Sequence, residues 1–116
     1  MQIKVLKSKI HRAVVTDANL DYVGSISIDE NLMIAANLIE YEKVHILNLT
    51  SGSRFETYII KAPKGSKEIC INGAAAHLVN KKDMVIIVSY CQISPMDANQ
   101  HMPTIVHVNK NNEIVS

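Results

Sequence analysis

Ser25 follows Gly24 in the run Asp21-Tyr22-Val23-Gly24-Ser25-Ile26-Ser27-Ile28-Asp29, and its hydroxyl stands next along the chain to a carbonyl carbon that no side chain shields. Attack by the chain on its own backbone is sterically open there, because glycine grants conformations that a Cβ would forbid. An amide-to-ester shift is uphill, so it needs surrounding structure that distorts the peptide and stabilises the tetrahedral oxyanion. Arg54 and Lys9 are candidate anchors for an anionic substrate. A planar guanidinium grips a carboxylate through two parallel hydrogen bonds, and a lysine supplies a point charge. For Lys9 a solvated surface position is an equal reading. Tyr58 is a candidate acid, since a phenol with a reference pKa near 10 keeps its proton at neutral pH. Thr57 offers a neighbouring hydroxyl, but adjacent residues on a strand face opposite ways, so the two share a site only at a bulge or a subunit boundary. Asn72-Gly73-Ala74-Ala75 sets a turn before a short helix, whose first N–H groups and small side chains suit an anionic ligand.

Taken together, Lys9-Ile10-His11-Arg12, Gly24-Ser25, Arg54-Phe55-Glu56-Thr57-Tyr58 and Asn72-Gly73-Ala74-Ala75-Ala76 resemble the pyruvoyl-dependent aspartate 1-decarboxylases, in nearly the same order and spacing from about residue 3 to residue 109. The resemblance implies self-cleavage between Gly24 and Ser25 into residues 1–24 and 25–116. In that scheme Ser25 Oγ attacks the Gly24 carbonyl and the amide becomes an ester. β-Elimination leaves a dehydroalanine, and its hydrolysis with loss of ammonia leaves a pyruvoyl group at the new terminus. That covalent carbonyl is the implied cofactor: it condenses with the substrate's amine and accepts the electrons left on Cα when carbon dioxide departs. The implied reaction turns L-aspartate into β-alanine for pantothenate and hence coenzyme A synthesis. By the same resemblance Thr57 stabilises the processing intermediate, Tyr58 returns a proton to Cα, and Lys9, Arg54, Thr57, Asn72, Gly73, Ala74 and Ala75 bind substrate. Asn72 also contacts the pyruvoyl region, and Tyr22 flanks the scissile bond. His11 either orients its neighbours or merely fills its strand.

Composition leaves room for this and excludes other classes. A net charge of +1, a charged fraction of 20% and an aromatic fraction of 4% give neither a basic track for phosphates nor platforms for stacking bases. Nucleic acid is not an expected partner. No apolar run exceeds five residues, so neither a membrane span nor a signal-peptide core is expected, and a cytoplasmic location is. Cys70 and Cys91 sit in strand-like apolar surroundings and read as free thiols of a reducing compartment. Of the five histidines only His101 and His107, either side of Pro103, offer a ligand pair, and no metal is expected.

The elements that must position these residues are mostly short β-runs: 3–6, 11–16, 24–28, 43–49, 55–61, 68–71, 84–93 and 104–108, rich in Val, Ile, Thr and Tyr. Two short helices are expected, one over 29–38 with Asp29 as its N-cap and one over 73–79. Thr50-Ser51-Gly52-Ser53 reads as a hairpin turn, and Pro63-Lys64-Gly65-Ser66 as a second turn. Many strands in a single domain of 116 residues favour a closed or nearly closed barrel, which removes exposed edges. The resemblance specifies a double-psi β-barrel, assembled as a homotetramer with sites between subunits. The alternative is a barrel that keeps Ser25 intact and serves as a small-ligand-binding or interaction module.

Overall fold

Period-two alternation builds the molecule, and the computed structural model describes all residues, 1–116, around eight strands. These are β1 (Ile3–Val14), β2 (Asp17–Asn19), β3 (Ser25–Asp29), β4 (Lys43–Asn48), β5 (Arg54–Ala62), β6 (Ile69–Asn72), β7 (Met84–Ile93) and β8 (Thr104–His107). They form one sheet in the order β2-β6-β3-β5-β4-β7-β1-β8. Only Val15 and Thr16 join β1 to β2, yet β2 lies at one edge and β1 next to the other, so the sheet has to curl back on itself. Backbone bonds stitch the seam: Val15 N–H to Asp83 O at 2.8 Å, Lys82 N–H to Val15 O at 2.7 Å, and Thr16 N–H to Ile69 O at 2.8 Å. The buried Asn112 side chain props it further, donating to the carbonyls of Val14 and Lys67 and accepting from Val14 N–H. The result is mainly β and consistent with a double-psi barrel, though β2 and β8 do not pair to close it.

Inside the curl, Ile10, Ile26, Ile28, Val44, Ile46, Ile59, Ile69, Ile71, Val85 and Ile87 are fully buried in one core. Removing side chains of this size from water contributes on the order of 1.5–3 kcal/mol each, enough to hold the sheet against its conformational entropy only because so many act together.

Five local outcomes differ from the sequence expectations, and one of them is β2 itself, a strand where none was expected. The runs 3–6 and 11–16 are one twelve-residue strand, β1, bent by register breaks between Leu6 and Ser8 and between Ile10 and Ala13. Arg12 adopts φ +67° at the second break. The helix expected over 29–38 is shorter, α1 (Glu30–Ala35). Asp29 does cap it, accepting from Asn31 N–H at 2.8 Å. It ends early because Asn37 turns left-handed at φ +58°, so that Asn37 N–H reaches Ile34 O and Leu38 N–H reaches Met33 O, the paired bonds of a Schellman motif. The stretch after Asn72 is a 3₁₀ helix, Gly73–Leu78, in place of an α-helix. Finally, a four-residue helix not expected from the sequence, α2 (Pro95–Ala98), is capped by Ser94 Oγ accepting from Asp97 N–H. Both expected turns are present, with Gly52 at φ +85° and Gly65 at φ +82°.

Candidate active site

Strand pairing brings Ser25 and Asn72 directly opposite each other on β3 and β6. Alternation sends Ile26, Ile28, Ile69 and Ile71 into the core and leaves Ser25, Ser27, Cys70 and Asn72 on the other face, where all four are nonetheless buried. Ser25 is 1% exposed and Asn72 3%. Asn72 Nδ2 donates to Ser25 Oγ at 2.9 Å and to Ser27 Oγ at 3.1 Å, while Cys70 Sγ donates to Asn72 Oδ1 at 3.3 Å. Ser25 Oγ in turn donates to Val23 O at 3.3 Å, so the hydroxyl is folded back over the segment that carries the Gly24 carbonyl. Beside this network a cavity of about 430 Å³ is lined by Asp17, Tyr22, Ser27, Glu68, Cys70 and Asn72. Burial raises the Cys70 thiol pKa, and Asp17 and Glu68 add to the effect, so it remains S–H.

The glycine whose lack of a side chain matters in this geometry is Gly73. Its φ is +73°, and a Cβ there would stand 2.6 Å from Gly24 Cα and 2.7 Å from Gly24 N. Gly24 was expected to need the special conformation. Its own φ lies outside the left-handed region, and a Cβ built on it meets nothing within 4 Å. The steric freedom therefore resides across the contact, where Gly73 allows the scissile segment to lie against the β6 turn. The reading of the 73–79 helix start as an anion site also changes. Six residues of 3₁₀ turn align few peptide dipoles, and the Asn72 side chain makes no cap bond because Ser25 and Ser27 engage it.

The β5 residues divide by face. Its register with β4 runs unbroken from Arg54 to Tyr58, so no bulge brings Thr57 and Tyr58 together. Thr57 shares the side of Phe55 and the buried Ile59, while Tyr58 shares that of Arg54 and Glu56. Because Ile26 pairs with Ile59 in the parallel β3/β5 ladder, the preceding residues Ser25 and Tyr58 fall side by side at its end. Tyr58 is 36% exposed and tilts against Tyr41, ring centroids 6.5 Å apart. Arg54 is four residues away along the strand, roughly 13 Å at the rise of an extended chain. It lines a separate groove of about 550 Å³ with Lys4, Lys43, His45 and Tyr90. In that groove Lys43 and His45 approach Glu56 at 3.4 and 3.5 Å, and Arg54 is without an ion-pair partner.

Lys9 is on β1, paired with Val88 of β7 and Ile105 of β8. Followed along the curled sheet, four inter-strand steps separate β1 from β3. His11, on the same strand, has a buried Nδ1 without a partner and stands edge-on to His107 at 5.3 Å. Burial lowers its pKa, and Lys9, His107 and Arg12 lower it further. One chain thus joins Gly24, Ser25, Asn72 and Gly73, sets Tyr58 at their edge, carries Ala74 and Ala75 on the following turn, and holds Arg54 and Lys9 elsewhere. Ser27 and Cys70, neither of them expected at the site, belong to the network as well, and their even spacing from Ser25 and Asn72 is the signal the sequence carries for it. No three His, Cys, Asp or Glu side chains gather at metal-binding geometry, and no helix is long and apolar enough to cross a membrane.

A family described as aspartate decarboxylase matches residues 1–115, nearly the whole chain. The chain belongs to the aspartate decarboxylase family. Relatives named aspartate 1-decarboxylase include one from Caldicellulosiruptor saccharolyticus, 59% identical over 99% of this chain and 90% of its own length. Another, from Campylobacter concisus, is 61% identical over 99% of this chain and 98% of its own, and one from Clostridium botulinum is 58% identical over 97% and 89%.

Proposed function

We propose that the chain is a self-processing decarboxylase that cuts itself between Gly24 and Ser25 and converts L-aspartate to β-alanine and carbon dioxide, supplying pantothenate synthesis in the cytoplasm. The observation that carries this reading is the state of Ser25 Oγ: buried, held by Asn72 at 2.9 Å and turned back toward its own upstream backbone.

In this reading Ser25 Oγ forms a bond to the Gly24 carbonyl carbon as the Gly24–Ser25 C–N bond breaks. Asn72 fixes the attacking oxygen, and Gly73 leaves the space in which Gly24 lies. Thr57 precedes Tyr58 on β5, toward the end where the scissile segment enters β3, and its hydroxyl stabilises the developing oxyanion. The residues suit a pyruvoyl group made from Ser25: an amide donor already faces that position, and Gly73 lets the chain upstream of Ser25 lie close by. Such a carbonyl supplies the electron sink for decarboxylation. Tyr58 holds the proton that returns to Cα, and Arg54, free of a carboxylate partner, binds a substrate carboxylate with Lys9 as the second cation.

Arg54 stands four residues along β5 from the Ser25–Tyr58 pair and opens on a different groove, which supports a site shared between subunits of a homotetramer. The first test is intact mass after prolonged incubation, with and without cell extract. The expected result is a fragment of 24 residues and one of 92, the latter without a free amino group, and only full-length chain from Ser25→Ala. A parent that stays whole under both conditions defeats the proposal.

A further inference from the structure

Two β-strands with apolar cores, β3 and β6, place four small polar side chains together on their other face, and the cross-strand register pairs Ser25 with Asn72 and Ser27 with Cys70. Three of the four converge on the fourth. Asn72 Nδ2 carries two hydrogens and finds two hydroxyl acceptors, at Ser25 and Ser27. Asn72 Oδ1 accepts from the Cys70 thiol. A carboxamide can sit either way round, and the chemistry of sulfur decides between the two. A thiol's weak S–H donor finds a good acceptor in Oδ1, whereas rotating the amide would face its N–H₂ toward a weakly accepting sulfur and leave a buried donor nearly unsatisfied. Burial together with Asp17 and Glu68 keeps the thiol protonated, so that it is able to donate.

We infer that Cys70 and Ser27 are positioning residues for self-cleavage: they lock the Asn72 carboxamide with its N–H₂ toward Ser25 Oγ, and so hold the nucleophile over the Gly24 carbonyl. Neither touches the scissile bond. The inference rests on the self-cleavage reading and deepens it by saying what orients the residue that orients the nucleophile. It also explains why both positions are polar within the otherwise isoleucine-rich runs Ser25-Ile26-Ser27-Ile28 and Ile69-Cys70-Ile71-Asn72.

The test follows the rate of Gly24–Ser25 cleavage in freshly purified precursor by intact mass, for the parent and for Cys70→Ala, Cys70→Val and Cys70→Ser, with thermal melts of each. Loss of one hydrogen bond corresponds to about a fivefold slower cleavage, expected for Cys70→Ala and for Cys70→Val, which fills the space of the thiol without a donor. Cys70→Ser restores a donor and is expected to cleave within about twofold of the parent. Ser27→Ala removes one acceptor and is expected to slow cleavage in the same sense. Parent-like cleavage in both Cys70→Ala and Cys70→Val overturns the inference and leaves the self-cleavage reading standing. Equal slowing in Cys70→Ser and Cys70→Ala overturns it as well, since packing and not the donor would then matter. A parent that never cleaves overturns the inference and the reading together.

Discussion

Tyr58 stands beside Ser25 at the ends of two parallel strands, and its ring leans on Tyr41 with its edge open to solvent. That placement suits a group that meets substrate after cleavage. Tyr58→Phe keeps the ring and the packing against Tyr41, so cleavage at Gly24 is expected to proceed while turnover falls by about 10²-fold to 10⁴-fold. Aspartate decarboxylation measured on fully cleaved variant, with parent-like turnover, would remove Tyr58 as the proton donor. His11 makes a different statement, about stability. Its folded pKa lies below the ordinary 6.5, chiefly through burial, so as pH falls below that value the unfolded chain takes up the proton first. Stability should decline from about pH 6.5 down to the lowered folded pKa and level off beneath it. Glu113, held below the ordinary 4.5 by Asn109 and Lys67, contributes above that pH and loses its contribution only in a more acidic window. His11→Asn should flatten the upper part of the acid limb in a series of melts; an unchanged slope between pH 5 and 7 would assign it to another group.

Among the elements, the turn from β6 into the 3₁₀ helix is the most sterically demanding at the site. Gly73→Ala meets two costs, a left-handed φ worth about 1–2 kcal/mol and a Cβ driven into Gly24. Gly52→Ala meets only the first, because the space around Gly52 is open. The pair therefore isolates the clash: both variants should melt lower, and only Gly73→Ala should also stall cleavage. Cleavage at the parent rate in Gly73→Ala would mean that Gly24 need not lie where it does. The same element shows what the sequence conveyed. Asn-Gly before a run of alanines announced a tight turn, and the even spacing of Ile69 and Ile71 announced a buried strand. The hydrogen-bonding destination of Asn72 depended on a strand 47 residues away and was not readable locally. Local signals likewise announced the Asp29 cap and the Gly52 hairpin. They failed for β1, where Lys7-Ser8-Lys9 breaks the apolar pattern but β7 and β8 supply ladder partners from both sides. They failed for β2, whose Asp17 and Asn19 are poor strand formers held by β6 alone. Ser94-Pro95 followed by Asp97 was a legible start for α2 that the expectation missed.

At the scale of the whole molecule, distance decides how the chemistry is divided. The strand rise puts the Arg54 backbone roughly 13 Å from the Ser25–Tyr58 pair, whereas an aspartate bound at Ser25 extends only a few ångströms. Arg54 and its groove face outward from the sheet, where a neighbouring copy can present them to another chain's Ser25. If the site is shared in this way, two dead variants should repair each other. Ser25→Ala retains Arg54 but lacks the nucleophile, and Arg54→Ala retains Ser25 but lacks the carboxylate anchor. Co-expressed in equal amounts, random mixing gives each site about one chance in four of combining an intact Ser25 with an intact Arg54 from its neighbour, so about a quarter of parent activity should return. The two variants purified separately and combined without subunit exchange should stay inactive. Co-expressed mixtures that recover nothing, despite a mixed-tag pull-down proving that both chains share one assembly, would mean that Arg54 serves the Ser25 of its own chain or does not bind substrate at all.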